Sequence, residues 1–419
     1  MVTMRIAMVG TRGVPARYGG FETAVEEVGR RLVERGHEVV VYCRTVPGQS
    51  DRATEHLGMR LVHLPAVRKR SLETLSHSAL SIAHLVGHRT DAAFVFNAAN
   101  APLLPLLRLA RIPVATHVDG LEWKRAKWSG AGQRFYRIAE SLAVRWSDAL
   151  IADAVGISDY YAHEFGARTA LLTYGAPLIS PGADRLVELG LEPGGYHLVV
   201  ARFEPENHVD VIVDGYVRSR ATKPLVVVGS APYSDEYTAA VHDLADGRVR
   251  FLGGIWDQTQ LDQLYANAYT YLHGHSVGGT NPSLLRAIGA GAAVLAYDVE
   301  FNSEVVEDAG RYFTDADDVA RLVDAAEADP QATRHAGTRA RRCAARYDWD
   351  RVADGYERLT ERLAARDFPR RRPSGRRQEA TGEVVPLTEL LVPVAALPVE
   401  DLGTLPLSPH RAITGGAQQ

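Results

Sequence analysis

The sequence is poor in cysteine and has no long apolar run. Its 2 cysteines, Cys43 and Cys343, lie far apart and match no disulfide, zinc or redox pattern, which indicates a reducing compartment. Both are expected to be buried, unreactive side chains. No apolar stretch reaches the length of about 18 residues that a membrane-spanning helix needs, and the apolar run at the N-terminus is too short for a signal peptide. These absences predict a cytoplasmic protein.

An excess of charge of either sign is also missing. The formal net charge is −4, which gives no general reason to expect a nucleic-acid partner. With 46% hydrophobic and 23% charged residues, the composition is that of a globular protein. A chain of 419 residues is longer than one hydrophobic core usually organises, so two domains are expected.

The dinucleotide fingerprint GxGxxG is absent, although a glycine-rich loop follows the first predicted strand. Residues 10–23 read GTRGVPARYGGFET and are followed by a helix and a second strand. In open α/β sheets, loops at the carboxyl ends of strands bind ligands. The loop is therefore predicted to bind an acceptor or a phosphate, and an ordinary connection is the alternative. Its candidate residues are Gly13, Arg17, Tyr18, Gly19 and Gly20.

A second glycine-rich turn lies late in the chain, where residues 273–291 read HGHSVGGTNPSLLRAIGAG. Asn281 is a predicted N-cap, and Pro282 suits the first helical position. Glycines before a helix let the backbone approach a ligand, and the helix start attracts an anion. An ordinary strand-to-helix connection is the alternative. The predicted donor-binding residues are Gly278, Gly279, Thr280, Asn281, Pro282 and Ser283.

Strands and helices alternate along the chain, which predicts two Rossmann-like α/β domains. The predicted domains are residues 1–178 and 190–346, joined by a proline-containing linker. A last helix at 347–366 follows, and residues 367–419 have the composition of a disordered tail. The predicted strands are 5–9, 38–42, 61–64, 93–96, 114–117, 147–152, 171–174, 197–200, 224–229, 249–252, 269–272 and 293–297.

Polar and aromatic residues follow the strand predicted at 114–117. His117 could contact a sugar hydroxyl or relay a proton, with Asp119 beside it. Trp123 and Lys124 place an aromatic ring next to a cation, which suits a diphosphate, a sugar ring or a membrane interface. A structural histidine and an ordinary helix start are the alternatives.

Charged residues at two other element ends have different interpretations. Arg202 lies just after the strand predicted at 197–200, where it could bind a phosphate; a surface salt bridge is the alternative. Asp348, Trp349 and Asp350 imitate a metal-binding DxD motif. At a helix start they are better explained as an N-cap with first-turn charge, so no metal site is predicted.

Four motifs in order resemble glycosyltransferase family 4. They are GTRGVPARYGGFET, VDGLEWKRAKW, ARFEPENHV and HGHSVGGTNPSLL, and within the family they are similar to the bacterial rhamnosyltransferase-like branch that builds capsular and exopolysaccharides. The resemblance covers roughly residues 4–365. It implies the GT-B fold, in which two Rossmann-like domains face a central cleft and a C-terminal helix crosses back.

The resemblance also implies an activity. A hexose or a rhamnose-like deoxyhexose would move from a nucleotide-diphosphate sugar in the second domain to a lipid-linked or polysaccharide acceptor on the first. No metal or cofactor is implied, and retention of the anomeric configuration is expected, with peripheral contact to the membrane surface. Arg202 matches the diphosphate-binding Arg of the family, Asn207 stands where many members have Lys, and His117 matches a His near the donor sugar.

The E-x7-E motif of the family maps onto Gly278 and Arg286, and neither is Glu. An Arg can only donate hydrogen bonds, so Arg286 is expected to reach toward the cleft and pair with the diphosphate rather than the ribose. This departure raises an alternative, a catalytically inactive GT-B binding or assembly subunit. A GT-B epimerase would require a further pair of acid/base carboxylates, which the sequence does not show clearly.

Overall fold

A computed structural model describes residues 2–16, 19–45, 53–67, 72–118, 120–125, 128–180, 182–229, 235–368 and 373–378. Across these ranges, no helix combines the length and the apolar character that crossing a bilayer would require. The strands are β1 Arg5–Val9, β2 Glu38–Arg44, β3 Glu55–His56, β4 Met59–Leu64, β5 Ala92–Phe96, β6 Val114–His117, β7 Ala149–Ala152, β8 Ala170–Leu171, β9 His197–Val200, β10 Leu225–Val228, β11 Val249–Gly253, β12 Thr270–His273, β13 Ala293–Tyr297 and β14 Arg311–Phe313.

Helices connect most of these strands. They are α1 Gly20–Glu34, α2 Glu73–Gly87, α3 Leu104–Leu109, α4 Gly130–Trp146, α5 Val155–Phe165, α6 Val209–Arg218, α7 Asp235–Asp243, α8 Gln258–Ala266, α9 Pro282–Ala290, α10 Glu300–Val306, α11 Ala316–Ala328, α12 Pro330–Ala344 and α13 Trp349–Ala365.

The first sheet is parallel except at its edge. Its strand order is β3-β4-β2-β1-β5-β6-β7-β8, and only β3 pairs antiparallel, with β4. Helices cover both faces of the sheet, so its central strands read as continuous apolar runs, and every residue of β5 is buried. The order reverses beside β1, which places the loop after β1 at a switch point where such sheets bind ligands.

The second sheet is parallel throughout, with the order β11-β10-β9-β12-β13-β14. Because β9 and β12 are neighbours, the segments that follow them emerge side by side. Arg202 follows β9, and the turn containing Gly278 follows β12. The fold therefore brings the two predicted phosphate-binding segments of this domain together.

The expected pair of α/β sheets is confirmed, with differences at the edges. The short strands β3 and β14 were not predicted, because 2 and 3 residues carry too little pattern. The strand expected from residue 147 begins at Ala149 instead. Ser147 and Asp148 use their side chains to bond Thr116 Oγ1 at 2.7 Å and the amide of Val114 at 2.9 Å.

The last helix, α13, returns to the first domain. Asp348 caps it by accepting from the amides of Asp350 and Arg351 at 2.8 and 2.9 Å, which confirms the N-cap interpretation. An ion pair and a hydrogen bond then bind the helix to the residues after α1, since Glu357 accepts from Arg35 at 2.7 Å and lies 3.0 Å from His37 Nε2. The helix that was expected to cross back therefore does so.

Part of the predicted disordered tail is docked on the first domain. Arg377 reaches the carboxylates of Glu140 and Glu164 at 2.6 and 2.5 Å and the hydroxyl of Tyr160 at 2.9 Å. Residues 373–378 thus pack between α4 and α5, a correction to the tail expected from composition, and their removal should destabilise the first domain. Residues 369–372 and 379–419, including the first three arginines of the basic run RRRPSGRR, lie outside the described residues.

Candidate functional site

The two domains meet where the N-terminus of α1 faces the N-terminus of α9. A Cβ atom added to Gly20 would lie 3.0 Å from Cγ of Pro282. Thr280 Oγ1 donates to the carbonyl oxygen of Asp153 at 2.6 Å, and a Cβ atom on Gly279 would overlap the Asp153 carboxylate. Side chains at these glycines would hold the domains apart, so the residue type follows from close approach. Gly20 of the first glycine-rich loop therefore meets Gly279, Thr280 and Pro282 of the second, and their predicted ligand-binding roles stay predictions.

The start of α9 is fixed from inside the second domain. Asn281 Oδ1 accepts from the amide of Ser283 at 2.9 Å, which confirms the predicted N-cap. The hydroxyl of Ser283 lies 2.5 and 2.9 Å from those of Tyr265 and Tyr271 and bonds the carbonyl of Val200 at 3.1 Å. Ser283 therefore anchors the helix toward the interior. The groups of α9 that face the cleft are therefore its positive N-terminal end and the nearby backbone.

The loop after β9 is held to the turn after β12 by Asn207. Its Nδ2 donates to the carbonyl of Arg202 at 2.8 Å, and its Oδ1 lies 2.7 Å from His275 Nδ1. The side chain of Asn207 is thereby committed within the protein. The side chain of Arg202 is 38% exposed, and its Nη1 lies 3.5 Å from Glu204 Oε1. Asn207 positions the loop, and Arg202 lies beside Glu204 with its side chain partly exposed.

His275 was missed by the sequence analysis, although it stands inside the second glycine-rich motif. Because Asn207 Oδ1 is an acceptor, His275 Nδ1 carries the proton and Nε2 is left as an acceptor. Nε2 makes no hydrogen bond with a residue that the structure describes and lies 3.0 Å from where a Gly278 Cβ would be. Burial, with the charges of Arg125 and Arg202 nearby, holds the pKa of His275 well below its usual value. The imidazole is neutral in a positive environment.

The glycine-rich loop of the first domain has acidic surroundings. The amide of Arg12 donates to Glu22 at 2.9 Å, and the amide of Ala16 donates to Glu26 at 2.8 Å. Burial raises the pKa of Glu22. Gly13 is buried, and a Cβ atom there would lie 2.7 Å from Cys43 Cα. These amides are turned onto the carboxylates of α1 and away from an anion. Gly19 is exposed, whereas Arg17 and Tyr18 lie outside the described residues.

His117 lies at the end of β6 inside an aromatic cage. Its ring is stacked 5.5 Å from Phe96 and 6.2 Å from Tyr174 and meets Phe21 edge-on at 5.4 Å. Only 1% of the residue is exposed. This geometry fits the structural-histidine alternative, because a substrate reaches the imidazole only if an aromatic neighbour moves. Asp119 lies outside the described residues.

Trp123 and Lys124 lie in a short 3-10 helix, Glu122–Lys124. The indole of Trp123 has Lys124 Nζ at 5.5 Å and the guanidinium carbon of Arg137 at 5.3 Å from its ring centroid. The structure thus places Trp123 against α4. The next residue, Arg125, reaches across the cleft, where its Nη1 lies 3.5 Å from Glu206 Oε1.

Arg286 does not reach toward the cleft as expected. Its guanidinium pairs with Asp262 of α8, and Asp262 also accepts from Gln258 Nε2 at 2.9 Å. The expected pairing of Arg286 with the diphosphate stays a prediction, and it would compete with this carboxylate on the neighbouring helix. A second unpredicted carboxylate, Glu304 of α10, bonds the amide of Val155 at 3.0 Å and so caps α5 across the domain seam.

Comparisons with known proteins match both domains. Residues 19–175 match the family described as "Glycosyl transferase 4-like domain", and residues 190–342 match "Glycosyl transferases group 1". Among curated proteins, the O-antigen chain mannosyltransferase B of Escherichia coli is 28% identical over 122 residues. That match covers 28% of this chain and 32% of the relative, so it spans about a third of the length of the relative.

Solved structures share the fold over most of the chain. A sucrose-phosphate synthase from Thermosynechococcus elongatus has a TM-score of 0.75 at 20% identity, covering 87% of this chain and all of its own. Anabaena Alr3699/HepE in complex with UDP-glucose has a TM-score of 0.69 at 18% identity, covering 86% of this chain and 100% of its own. The two sheets facing a cleft, with a last helix crossing back, therefore form the GT-B fold.

Proposed function

The chain belongs to glycosyltransferase family 4, and we propose that it moves a hexose or deoxyhexose from a nucleotide-diphosphate sugar to a lipid-linked or polysaccharide acceptor. The observation that carries the proposal is the site in the second domain where Arg202 and the neutral His275 lie beside the glycine turn that opens α9. The Anabaena neighbour was solved in complex with UDP-glucose, a ligand of this chemical type.

Loss of the diphosphate from the anomeric carbon is the difficult step, and charge builds on that leaving group. Arg202 would hold it with charge-assisted hydrogen bonds. The positive end of α9 adds about 0.3–1 kcal/mol near a surface. His275 Nε2 can accept a hydrogen bond from a donor hydroxyl. We propose a metal-independent, cofactor-free reaction with retention, as the resemblance implies.

The acceptor would bind on the first domain. Glu22 and Glu26 beside the loop after β1 suit a hydroxyl-rich sugar better than an anion. The curated relative acts on O-antigen chains by its name, which supports a lipid-linked sugar acceptor. The motifs favour a rhamnose-like donor sugar. We place the enzyme in the cytoplasm, in peripheral contact with the inner face of the plasma membrane.

One observation favours a second candidate, an inactive GT-B binding or assembly subunit. Arg286 stands where the family has a ribose-binding Glu, and it is paired with Asp262. In such a subunit, nucleotides would bind without turnover. A rise in melting temperature with nucleotide, without release of nucleoside diphosphate, would identify this case.

The test is a screen of UDP-, GDP- and dTDP-sugars with a bacterial membrane extract as the acceptor source. We expect one donor to release its nucleoside diphosphate only when the extract is present, and Arg202→Ala to lower that release by roughly 100-fold. Failure of every nucleotide to bind would contradict the proposal, whereas binding without release would support the inactive subunit.

A further inference from the structure

The outer side of the first domain exposes arginines and apolar side chains together. We call Arg108, Leu109, Arg134, Arg137, Ile138 and Arg145 the arginine–leucine face. Leu109 is 82% exposed and Ile138 is 52% exposed, and the arginines are exposed as well.

The face is continuous across two helices. On α4 its members recur at helical spacing, which puts them on one side of the helix. The guanidinium carbons of Arg108 on α3 and Arg145 on α4 lie 5.6 and 5.1 Å from the ring centroid of Trp146. One indole therefore joins the cations of the two helices.

The charge of this face is not neutralised by neighbouring carboxylates. Within the described part of the chain, none of its arginines forms an ion pair, whereas Arg31 and Arg35 of the first domain pair with Asp350 and Glu357. The reason lies in the sequence, because Glu140 is the only acidic residue of α3 and α4.

Glu140 lies close enough to interact with the charge of Arg137, but its carboxylate is bound by other groups. It is 3% exposed and is bound by Arg377 at 2.6 Å and by the Tyr160 hydroxyl at 3.0 Å. The segment 373–378 therefore supplies, through Arg377, the cation that pairs with the one acidic residue of α4. It also borders a groove of about 500 Å³ along α4, lined among others by Arg134, Arg137, Ile138 and Arg377.

The exposed apolar side chains distinguish a membrane from other polyanions as the partner of this face. Arginines alone would suit any phosphate surface, but exposed leucine and isoleucine among cations are typical of a surface that lies in a membrane interface. Helix α12 offers an internal comparison. Its Arg334 and Arg342 are exposed and form no ion pair in the described ranges, yet α12 exposes no large apolar side chain there.

We propose that the arginine–leucine face docks on a bilayer that contains anionic lipid. Leu109 and Ile138 enter the interface, and the arginines pair with headgroup phosphates. The purpose of this docking rests on the proposed function, because a lipid-linked acceptor would arrive on the same side. Arg137 stacks on Trp123, which belongs to the segment leading from this face to the cleft.

The test is flotation of the full chain with vesicles of phosphatidylglycerol and phosphatidylcholine, and with vesicles of phosphatidylcholine alone. We expect salt-sensitive binding to the anionic vesicles. Arg134→Glu/Arg145→Glu should weaken this binding by at least about tenfold, and Leu109→Ser/Ile138→Ser should weaken it too. The matched control Arg334→Glu/Arg342→Glu changes net charge equally and should bind nearly as the wild type does.

Several results would overturn the proposal. They are absence of binding by the wild type, equal losses for the α4 and α12 charge reversals, or wild-type vesicle binding by Leu109→Ser/Ile138→Ser. If the Leu109→Ser/Ile138→Ser variant binds vesicles as the wild type does, and the wild type binds duplex DNA as tightly as anionic vesicles, the face is a general polyanion surface.

Melting curves and titration with nucleoside diphosphates keep the two proposals distinguishable. If every variant still binds nucleotide, a loss of vesicle binding is confined to the arginine–leucine face. If the wild type binds vesicles but no nucleotide, the proposed function alone is contradicted.

Discussion

Two glycine-rich connections face each other across the domain seam, and different side chains bind their backbone. In the loop after β1, backbone amides donate hydrogen bonds to the carboxylates of Glu22 and Glu26. The turn after β12 lies beside Arg202, Asn207 and the neutral His275. Both connections open a helix whose N-terminus points at the seam. Among the described residues, the second connection has Arg202 beside it and no carboxylate accepting from its helix start, which suits a diphosphate.

The contrast teaches that glycine spacing marks a close approach of backbone and that neighbouring side chains decide what approaches. A helix start attracts anions weakly, at about 0.3–1 kcal/mol, and a carboxylate beside it reverses that preference. The acidic residues in the first turns of α1 can be read directly from the sequence, where residues 21–27 are FETAVEE. This difference supports our proposal that the acceptor binds on the first domain and the diphosphate of the donor on the second.

The largest expected effect comes from removing the cation beside the glycine-rich turn of the second domain. Arg202→Ala should lower transfer by roughly 100-fold, as loss of a transition-state donor usually does. The fold should persist, because the side chain is 38% exposed. Steady-state kinetics and a melting curve measure the two effects. Glu204→Gln is the matched control, and a comparable loss there would mean that the loop rather than the charge is responsible.

His275 should be next in size. His275→Leu removes the partner of Asn207 Oδ1 and the acceptor near Gly278, and an unsatisfied buried amide costs about 1–3 kcal/mol. We expect the affinity for nucleoside diphosphate to fall by about tenfold, together with lower stability. His275→Gln can still donate to Asn207 and should recover stability more than turnover. Equal recovery of both would reduce His275 to a structural role.

The pairing of Arg286 with Asp262 gives a smaller, separable effect. Arg286→Glu places two carboxylates side by side on α8 and α9 and should lower the melting temperature. Arg286→Glu/Asp262→Arg restores an ion pair and should recover it. Calorimetry with several nucleoside diphosphates then measures base selectivity. Selectivity that is present in the wild type and lost in the stable double variant would show that Arg286 has a specific role in the nucleotide site.

The smallest effect is expected at Glu22. Its pKa is raised by burial, so the ionised carboxyl disfavours the folded state, and this cost is present above the unfolded-state pKa and disappears below it. Glu22→Gln keeps an acceptor for the amide of Arg12. It should therefore raise the melting temperature by about 1–2 °C at pH 7, with the difference vanishing as the pH falls below about 4. A difference that grows at low pH would reverse the sign of this argument.

Local patterns predicted the architecture and the helix caps. The apolar strands, Asn281 on α9 and Asp348 on α13 depend on residues a few positions apart, which sequence spacing reveals. Side-chain pairings between distant segments could not be predicted, because packing alone brings their partners together. His275 and Asn207 are separated by 68 positions, and Arg286 and Asp262 by 24. The cage around His117 likewise depends on three separate segments.

Assignment of the donor diphosphate to the second domain is tested most directly by one calorimetric comparison. The tightest-binding nucleoside diphosphate among UDP, GDP and dTDP is titrated into the wild type, Arg202→Ala and Glu22→Gln. We predict a loss of at least about tenfold for Arg202→Ala, in line with one charge-assisted contact, and an affinity for Glu22→Gln within about twofold of the wild type. Wild-type affinity in Arg202→Ala together with altered affinity in Glu22→Gln would place the diphosphate on the first domain and contradict the account.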